Sequence, residues 1–140
     1  MGARMRGHDW GPTELGDPMG WPQSLRSALS ICLESGFQIA VYWGPGLALL
    51  YNDAWSQILA EKHPWALGKP GREVWPEIWD TINPLFRQVI DTGVATLSRD
   101  QLLAMHRRGY TEECYFDFTF SPIRDEAGAV GGIFNIATET

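Results

Sequence analysis

The stretch from Thr111 to Ala137 constrains the fold of this 140-residue chain more than any other part of it. It holds two runs of β-favouring residues, separated by an acidic link at residues 125–128 that ends in glycine. In the first run Phe116, Phe118 and Phe120 alternate with polar residues, and a period of two is typical of a strand with one buried face. The terminal glycine can adopt the positive φ that a tight turn often requires. The pattern predicts a long antiparallel hairpin.

Before the hairpin, the chain divides into an irregular start and a helix. Residues 1–20 have no hydrophobic period, so we predict an irregular segment anchored by Trp10. Residues 21–36 form a predicted N-terminal cap helix, about 22–35, which ends near Gly36. Its apolar stripe at helical spacing consists of Leu25, Ala28, Leu29, Cys32 and Leu33.

The middle of the chain predicts two strands and then several helices. Residues 37–43 are apolar on both alternating faces, as in a strand covered on both sides, and residues 47–51 form a second strand. Asn52 or Asp53 is expected to cap the helix that follows. Prolines and glycines break residues 63–79 into short helical turns. Asn83 is then expected to cap a longer helix that Pro84 opens, and a third strand follows at 96–106.

Strands grouped at the two ends of the chain, with helices between them, predict an α+β layer arrangement. The length suits one domain with a sizeable core. Two cysteines far apart predict neither a disulfide framework nor a zinc site. No apolar run reaches the roughly 20 residues of a membrane span, and the N-terminal residues lack the apolar segment of a signal peptide. We therefore expect a cytoplasmic protein.

The charge of the chain argues against nucleic acid as a partner. The net charge is −6 and the pI is near 4.9, whereas binding to phosphates requires a basic surface. The one dense basic cluster, His106-Arg107-Arg108, adjoins Gly109 and is predicted to be an exposed hairpin end.

The order of these elements resembles a PAS domain over residues 37–140. Three segments carry the resemblance: Leu50–Ala54 at the second strand, Leu67-Gly68-Lys69 before the short helices, and Ser121–Gly132 in the closing hairpin. The last four residues, 137–140, match the family's hand-off to a signalling helix only in part. A tryptophan-rich PAS group at the front of bacterial sensor histidine kinases is similar in four further places: Asp9-Trp10, Gly20-Trp21-Pro22, Lys62-His63-Pro64 and Glu73-Val74-Trp75.

The resemblance implies a five-stranded antiparallel sheet with central helices on one face. The helix at 22–35 would lie on the other face or at a dimer interface. It further implies the input module of a cytoplasmic two-component sensor kinase, acting as a homodimer, with kinase domains following in the parent chain. The segment itself would not be an enzyme.

A PAS-like sheet that curls against its helices can leave a cavity, and aromatic residues are natural lining for it. The alternative is that they only fill the core, because pockets and cores share this composition. Possible polar anchors are Arg72, Asp117 and Asn135. The candidate lining residues are Trp43, Tyr51, Trp55, Trp65, Trp75, Trp79, Phe86, Phe118, Phe120 and Phe134.

The histidines and cysteines predict neither haem, flavin nor a metal. Haem-binding relatives carry a histidine on the long central helix, and residues 84–92 have none. Light-sensing relatives use a cysteine in an Asn-Cys-Arg-Phe-like motif, which neither Cys32 nor Cys114 matches. Both are expected to be small core residues. We therefore expect no cofactor and no metal.

Three functions stay open from the sequence. The first is a sensory domain that binds a small apolar or aromatic ligand between sheet and helices. The second is a ligand-free PAS module for dimerisation or relay. The third is a small α+β enzyme acting in an aromatic cavity, for which no catalytic residues are assigned because the familiar catalytic motifs are absent.

Overall fold

The computed structural model describes residues 1–140, and its five strands form one antiparallel sheet in the order β2-β1-β5-β4-β3. The strands are β1 (Ile39–Trp43), β2 (Ala48–Tyr51), β3 (Thr96–His106), β4 (Thr111–Arg124) and β5 (Val130–Glu139). The helices are α1 (Gly2–Gly7), α2 (Gln23–Glu34), α3 (Asp53–Leu59), α4 (Gly71–Val74) and α5 (Trp79–Thr92), with 3-10 turns at Pro18–Gly20 and Ala60–Lys62. The predicted α+β class and five-stranded antiparallel sheet are confirmed.

The sheet is covered on both faces, as the doubly apolar first strand predicts. Tyr42 points toward Trp55 of α3 and Phe86 of α5, on the face that we call the inner face. Its neighbour Val41 must point the opposite way, and it is fully buried although the central helices lie on the other side. Because α2 is the remaining helix that contacts β1, it covers this outer face. Helix α2 therefore occupies the position that the resemblance implied.

The closing hairpin forms as predicted. Gly128 adopts a φ of 84°, and Asp125 Oδ1 accepts hydrogen bonds from the amides of Ala127 (2.9 Å) and Ala129 (3.0 Å) in the same turn. Pro122 pairs with Ile133 of β5, but β3 has already ended its pairing at Phe120. The proline therefore lies where β4 has a free edge, and its missing N–H removes no ladder hydrogen bond.

Helix α5 begins one turn earlier than the sequence pattern predicts. Asn83 and Pro84 lie inside the helix rather than at its start, whereas Gly93 closes it in the left-handed conformation (φ 69°) as expected. Ile82 and Phe86 are both buried against the sheet, so the first turn adds to the same buried face. That burial outweighs the one backbone hydrogen bond that Pro84 cannot donate.

The segment between α2 and β1 also departs from the prediction. Helix α2 ends at Glu34, the capping residue Ser35 is extended, and Gly36 has no left-handed conformation. The first strand starts at Ile39 rather than at residue 37, and Phe37 is 70% exposed. The carbonyls of Ser35 and Phe37 accept hydrogen bonds from the Asn52 side chain, so these two carbonyls are satisfied without a strand partner.

The first 20 residues are more ordered than an irregular segment. They contain α1, in which only Met5 is buried, and this explains why the sequence shows no hydrophobic period there. Trp10 is the anchor that was predicted: it is buried, and its indole N–H donates to the Met5 carbonyl (2.8 Å). Trp10 also packs edge-on against Trp21, with 4.9 Å between ring centroids.

No helix has both the length and the apolar character needed to cross a lipid bilayer, and the longest, α5, has 14 residues.

Candidate ligand cavity

A small apolar cavity lies between the inner face of the sheet and the helices α3 to α5. Its volume is about 40 Å³, and 12 of its 13 lining residues are hydrophobic. From the helices and the segments beside them come Trp55, Ile58, Trp75, Ile78 and Ile82. From the strands come Tyr42, Leu103, Met105, Phe116, Phe118, Phe120, Asn135 and Ala137.

The β4 phenylalanines reach the cavity because of the strand period recognised in the sequence. Phe116, Phe118 and Phe120 all point to the inner face, where each is buried. Phe120 stacks on Phe86 of α5 with 4.2 Å between ring centroids and 21° between ring planes. Tyr42 meets Phe86 edge-on at 4.8 Å. The rings of Tyr42, Phe86 and Phe120 thus form an aromatic wall along one side of the cavity.

Asn135 contributes the one amide side chain in the lining. Its Oδ1 accepts a hydrogen bond from the Trp55 indole N–H (3.0 Å), and its Nδ2 donates to the Thr119 carbonyl (3.0 Å). Asn135 is therefore satisfied within the protein and holds the Trp55 ring in place across the cavity.

Tyr42 is the one ionisable residue in the lining. Burial raises the pKa of its phenol well above the usual range, and a hydrogen bond with the Trp75 side chain opposes this only in part. The phenol therefore stays neutral, and the cavity carries no charge at physiological pH.

Five of the thirteen predicted site residues line the cavity: Trp55, Trp75, Phe118, Phe120 and Asn135. Phe86 belongs to the aromatic wall but does not line the cavity, and Trp79 packs against Phe86 with 5.6 Å between ring centroids. Eight lining residues were missed. Of these, Phe116 shares the alternation of its neighbours and could have been found. The others, Tyr42, Ile58, Ile78, Ile82, Leu103, Met105 and Ala137, look in sequence like any other core residue.

Four predicted aromatic residues lie outside this cavity. Trp65 is 52% exposed, and the Lys69 ammonium lies over its ring, with 5.6 Å between Nζ and the ring centroid. Trp43 and Phe134 alternate with Tyr42 and Asn135 along their strands and point to the outer face. Tyr51 is buried in a different place, where its hydroxyl meets His63 Nδ1 at 2.7 Å.

Two of the predicted polar anchors, Arg72 and Asp117, also lie outside this cavity. Arg72 is exposed on α4. Asp117 alternates with the inward-facing phenylalanines, and its carboxylate accepts a hydrogen bond from the amide of Asp100 (2.7 Å) on the other face of the sheet. His63 and Asp117 are the side chains best suited to acid–base chemistry in an enzyme, and both lie outside the cavity.

The cysteines are core residues, as predicted. Cys32 and Cys114 are buried, unpaired and absent from the cavity lining. Burial raises the pKa of the Cys32 thiol to about 12, so it is not a thiolate nucleophile. No group of three or more His, Cys, Asp or Glu side chains is placed to hold a metal ion.

The basic cluster His106-Arg107-Arg108, at the end of β3, is exposed only in part. Arg107 is 2% exposed, whereas the side chain of its neighbour Arg108 is 43% exposed. The prediction of an exposed hairpin end is therefore wrong for Arg107. No local pattern distinguishes the two arginines, because their different burial depends on segments far away in the sequence.

A larger groove, about 650 Å³, lies on the surface between the N-terminal segment and α2. Its aromatic residues are Trp10 and Trp21, and both indole N–H groups already donate to backbone carbonyls of the same segment. These tryptophans therefore hold the N-terminal segment onto α2. The groove is also less apolar than the cavity, since only 5 of its 12 lining residues are hydrophobic.

A family model described as the PAS fold matches residues 45–140, which is more than half of the chain. The comparison with curated proteins found no match to this chain. Among solved structures, the chain is similar to an RNA-binding Light-Oxygen-Voltage receptor, with a TM-score of 0.61 and 21% identity over 88% of this chain and 35% of that one.

Two further structures share the fold. A sensory box sensor histidine kinase from Vibrio cholerae has a TM-score of 0.56 and 14% identity, over 89% of this chain and 99% of that chain. VqmA, whose structure has DPO bound, has a TM-score of 0.55 and 17% identity, over 82% of this chain and 57% of that chain. The chain thus spans about a third of the Light-Oxygen-Voltage receptor and just over half of VqmA.

Proposed function

The chain belongs to the PAS-fold family, and we propose that it is a sensory domain that binds a small apolar or aromatic molecule between its helices and its sheet. The observation that carries the proposal is the cavity lining, of which 12 of 13 residues are hydrophobic and none is charged. Such a lining with few polar groups is typical of small-molecule sites. A bound ligand would favour one of two arrangements of the surrounding elements.

The size of the cavity limits the ligand and its affinity. The cavity measures about 40 Å³, whereas an apolar cavity that binds benzene measures about 150 Å³. Opening the remaining ~110 Å³ costs about 2.6 kcal/mol at ~24 cal/mol per Å³. Each carbon of a small ring can contribute up to about 1.5 kcal/mol, so a ring-sized ligand can offset this cost. Its affinity would be weaker by roughly 80-fold than in a preformed site.

The same volume favours a second candidate, a PAS module for dimerisation or relay that binds no ligand. In that case the 40 Å³ space is only an imperfection in a packed core. The aromatic wall of Phe86 and Phe120 would then act as a rigid support for the sheet.

We further propose that the domain works as a cytoplasmic homodimer at the front of a bacterial sensor histidine kinase. The tryptophan-rich motifs and the similarity to a sensory box histidine kinase support this role. Any catalytic activity would belong to the kinase domains of the parent chain. We propose no haem or flavin for this domain, because its sequence does not match the motifs by which related domains bind these groups.

Benzene titration tests the ligand proposal. Ala137 lines the cavity, so Ala137→Val adds two methyl groups to its interior. Ala104→Val makes the same change on an exposed residue and is the matched control. We expect benzene to raise the Tm of the wild type and of Ala104→Val, and to shift the methyl NMR signals of Ile58 and Ile78. Ala137→Val should weaken benzene binding by about tenfold.

The two candidates differ in the result for the wild type. If benzene at saturation changes neither the Tm nor the methyl signals of the wild type, the ligand proposal fails. A stabilising effect of Ala137→Val in the same experiment would then favour the ligand-free module, because the substitution fills a void that no ligand uses.

A further inference from the structure

A buried arginine connects the wall of the cavity to the last residue of the sheet. Arg107 lies in the turn between β3 and β4 and is 2% exposed. Buried charges are rare unless they are paired, so the contacts of this side chain need an explanation.

The guanidinium of Arg107 joins three separate elements. Its Nη1 donates to the carbonyl of Ile58 at the end of α3 (2.8 Å), and its Nη2 donates to Glu139 Oε1 at the end of β5 (2.9 Å). Its Nε donates to Glu112 Oε1 on β4 (3.1 Å). The planar arrangement of these N–H groups suits an arginine and could not be reproduced by a lysine.

One end of this connection, Ile58, lies at the cavity, and the other end, Glu139, lies at the end of the sheet. Ile58 lines the cavity, and its carbonyl is among the last in α3, which the helix itself cannot satisfy. A positive charge at a helix C-terminus is also favourable. Glu139 is the final residue of β5, and the next amide, that of Thr140, donates to the Tyr115 carbonyl (2.8 Å).

The backbone strengthens the contact on the α3 side. The carbonyl of Arg107 accepts a hydrogen bond from the amide of Glu61, two residues after α3 ends (3.2 Å). The guanidinium also lies 5.9 Å from the ring centroid of Phe116, which is another lining residue. A shift of α3 must therefore move the Arg107 side chain or break its hydrogen bonds.

We propose that Arg107 is a positioning residue that transmits displacement of α3 to the end of β5 through Ile58 and Glu139. The guanidinium links the two elements directly, whereas no hydrogen bond joins Ile58 to Glu139 themselves. The device requires only that α3 moves. It therefore stands apart from the ligand proposal, and a failed benzene titration would leave it untouched.

Amide NMR and hydrogen exchange of the 140-residue chain test this proposal without a ligand. Ile58→Val is the input, since it removes one methyl group from the side of α3 that lines the cavity. We expect it to shift the amide signals of Thr138, Glu139 and Thr140 in the wild-type background. Arg107→Gln should abolish these shifts. Arg108→Gln changes the exposed neighbour, whose side chain hydrogen-bonds to Glu112 but to neither Ile58 nor Glu139, and should leave the shifts intact.

Glu139→Gln provides a second test should Arg107→Gln fail to fold. It weakens only the contact at the β5 end, so it should also abolish the transmitted shifts and speed exchange of the Thr140 amide by about fivefold. Glu113→Gln makes the same substitution at an exposed position of β4 without a hydrogen-bond partner and should do neither. The proposal is overturned if Ile58→Val still shifts residues 138–140 in full in the Arg107→Gln or Glu139→Gln background. It is also overturned if Ile58→Val causes no such shifts in the wild-type background.

Discussion

At the scale of single residues, Asn52 does more than its place in the sequence suggests. Its Oδ1 accepts hydrogen bonds from the amides of Trp55 (2.9 Å) and Ile39 (3.4 Å), so it caps α3 as predicted and also reaches β1. Its Nδ2 donates to the carbonyls of Cys32 (2.9 Å) and Phe37 (2.7 Å). One buried amide therefore joins α2, β1 and α3.

We expect Asn52→Ala to lower the free energy of unfolding by about 3 kcal/mol. The lost helix cap accounts for ~1 kcal/mol, and the buried backbone groups left without partners account for ~2 kcal/mol. Urea denaturation monitored by tryptophan fluorescence measures the difference.

Asn83→Ala is the matched control for this prediction. The Oδ1 of Asn83 has no hydrogen-bond partner, although it is buried within α5. Its removal should change the free energy of unfolding by no more than about 0.5 kcal/mol. Equal losses in the two variants would contradict the role given to Asn52.

At the scale of elements, α2 is held to the sheet at its N-terminus by the closing hairpin. Glu126 lies in the turn between β4 and β5. Its carboxylate accepts hydrogen bonds from the Ser24 amide (2.8 Å) and from the Ser24 hydroxyl (2.8 Å). A carboxylate at a helix N-terminus is favourable because the first amides have no partner within the helix.

This contact predicts a pH dependence of stability. Two hydrogen bonds hold the pKa of Glu126 below its usual 4.5: the larger effect comes from the Ser24 amide and the smaller from the Ser24 hydroxyl. Burial has the opposite effect on this pKa but does not cancel the lowering. The folded state therefore favours the ionised carboxylate, and its contribution to stability is fully present above pH 4.5. It is lost as the pH falls through the lowered pKa, because protonation then costs more in the folded state.

We expect the wild type to be more stable than Glu126→Gln at pH 7, with a difference that shrinks steadily below pH 4.5. Urea denaturation of both proteins between neutral and acidic pH measures this difference. Glu73→Gln removes an exposed carboxylate of α4 and should leave stability at pH 7 within about 0.5 kcal/mol of the wild type. The anchoring role is excluded if Glu126→Gln is as stable as the wild type at pH 7.

At the scale of the whole molecule, the sides of the sheet are covered unequally. The inner face is closed by α3 to α5. The outer face leaves Tyr115 42% exposed, α2 exposes Ile31 (62%), and the segment after α2 exposes Phe37 (70%). We expect the proposed homodimer to form through the exposed apolar side chains on and next to α2.

We expect the protein to sediment as a dimer and Ile31→Arg to raise the dimer dissociation constant by at least about tenfold, because a charge would be buried in the interface. Val94→Arg is the matched control, since Val94 is also 62% exposed but lies between α5 and β3. Sedimentation as a monomer at high protein concentration, or equal effects of the two variants, would exclude this interface.

The fold was predictable to a greater extent than the candidate site. Strand β4 was recognisable because the side-chain alternation of Phe116, Phe118 and Phe120 depends only on the strand itself. Ile82, Leu103 and Met105 were not recognisable as lining residues. A core aliphatic residue and a cavity-lining one differ only in what faces them across the interior.

The sequence by itself determined the class, the order of elements from α2 onward, the closing hairpin and the cap at Gly93, and it narrowed the α3 cap to Asn52 or Asp53. Each of these depends on residues close together in the chain. Only the tertiary structure decided which aromatic residues share the cavity and that its volume is about 40 Å³. It also decided that Arg107 is buried while Arg108 is not. The physical reason is that Arg107 meets Ile58 and Glu139, which lie 49 and 32 residues away, and only folding brings such distant partners together.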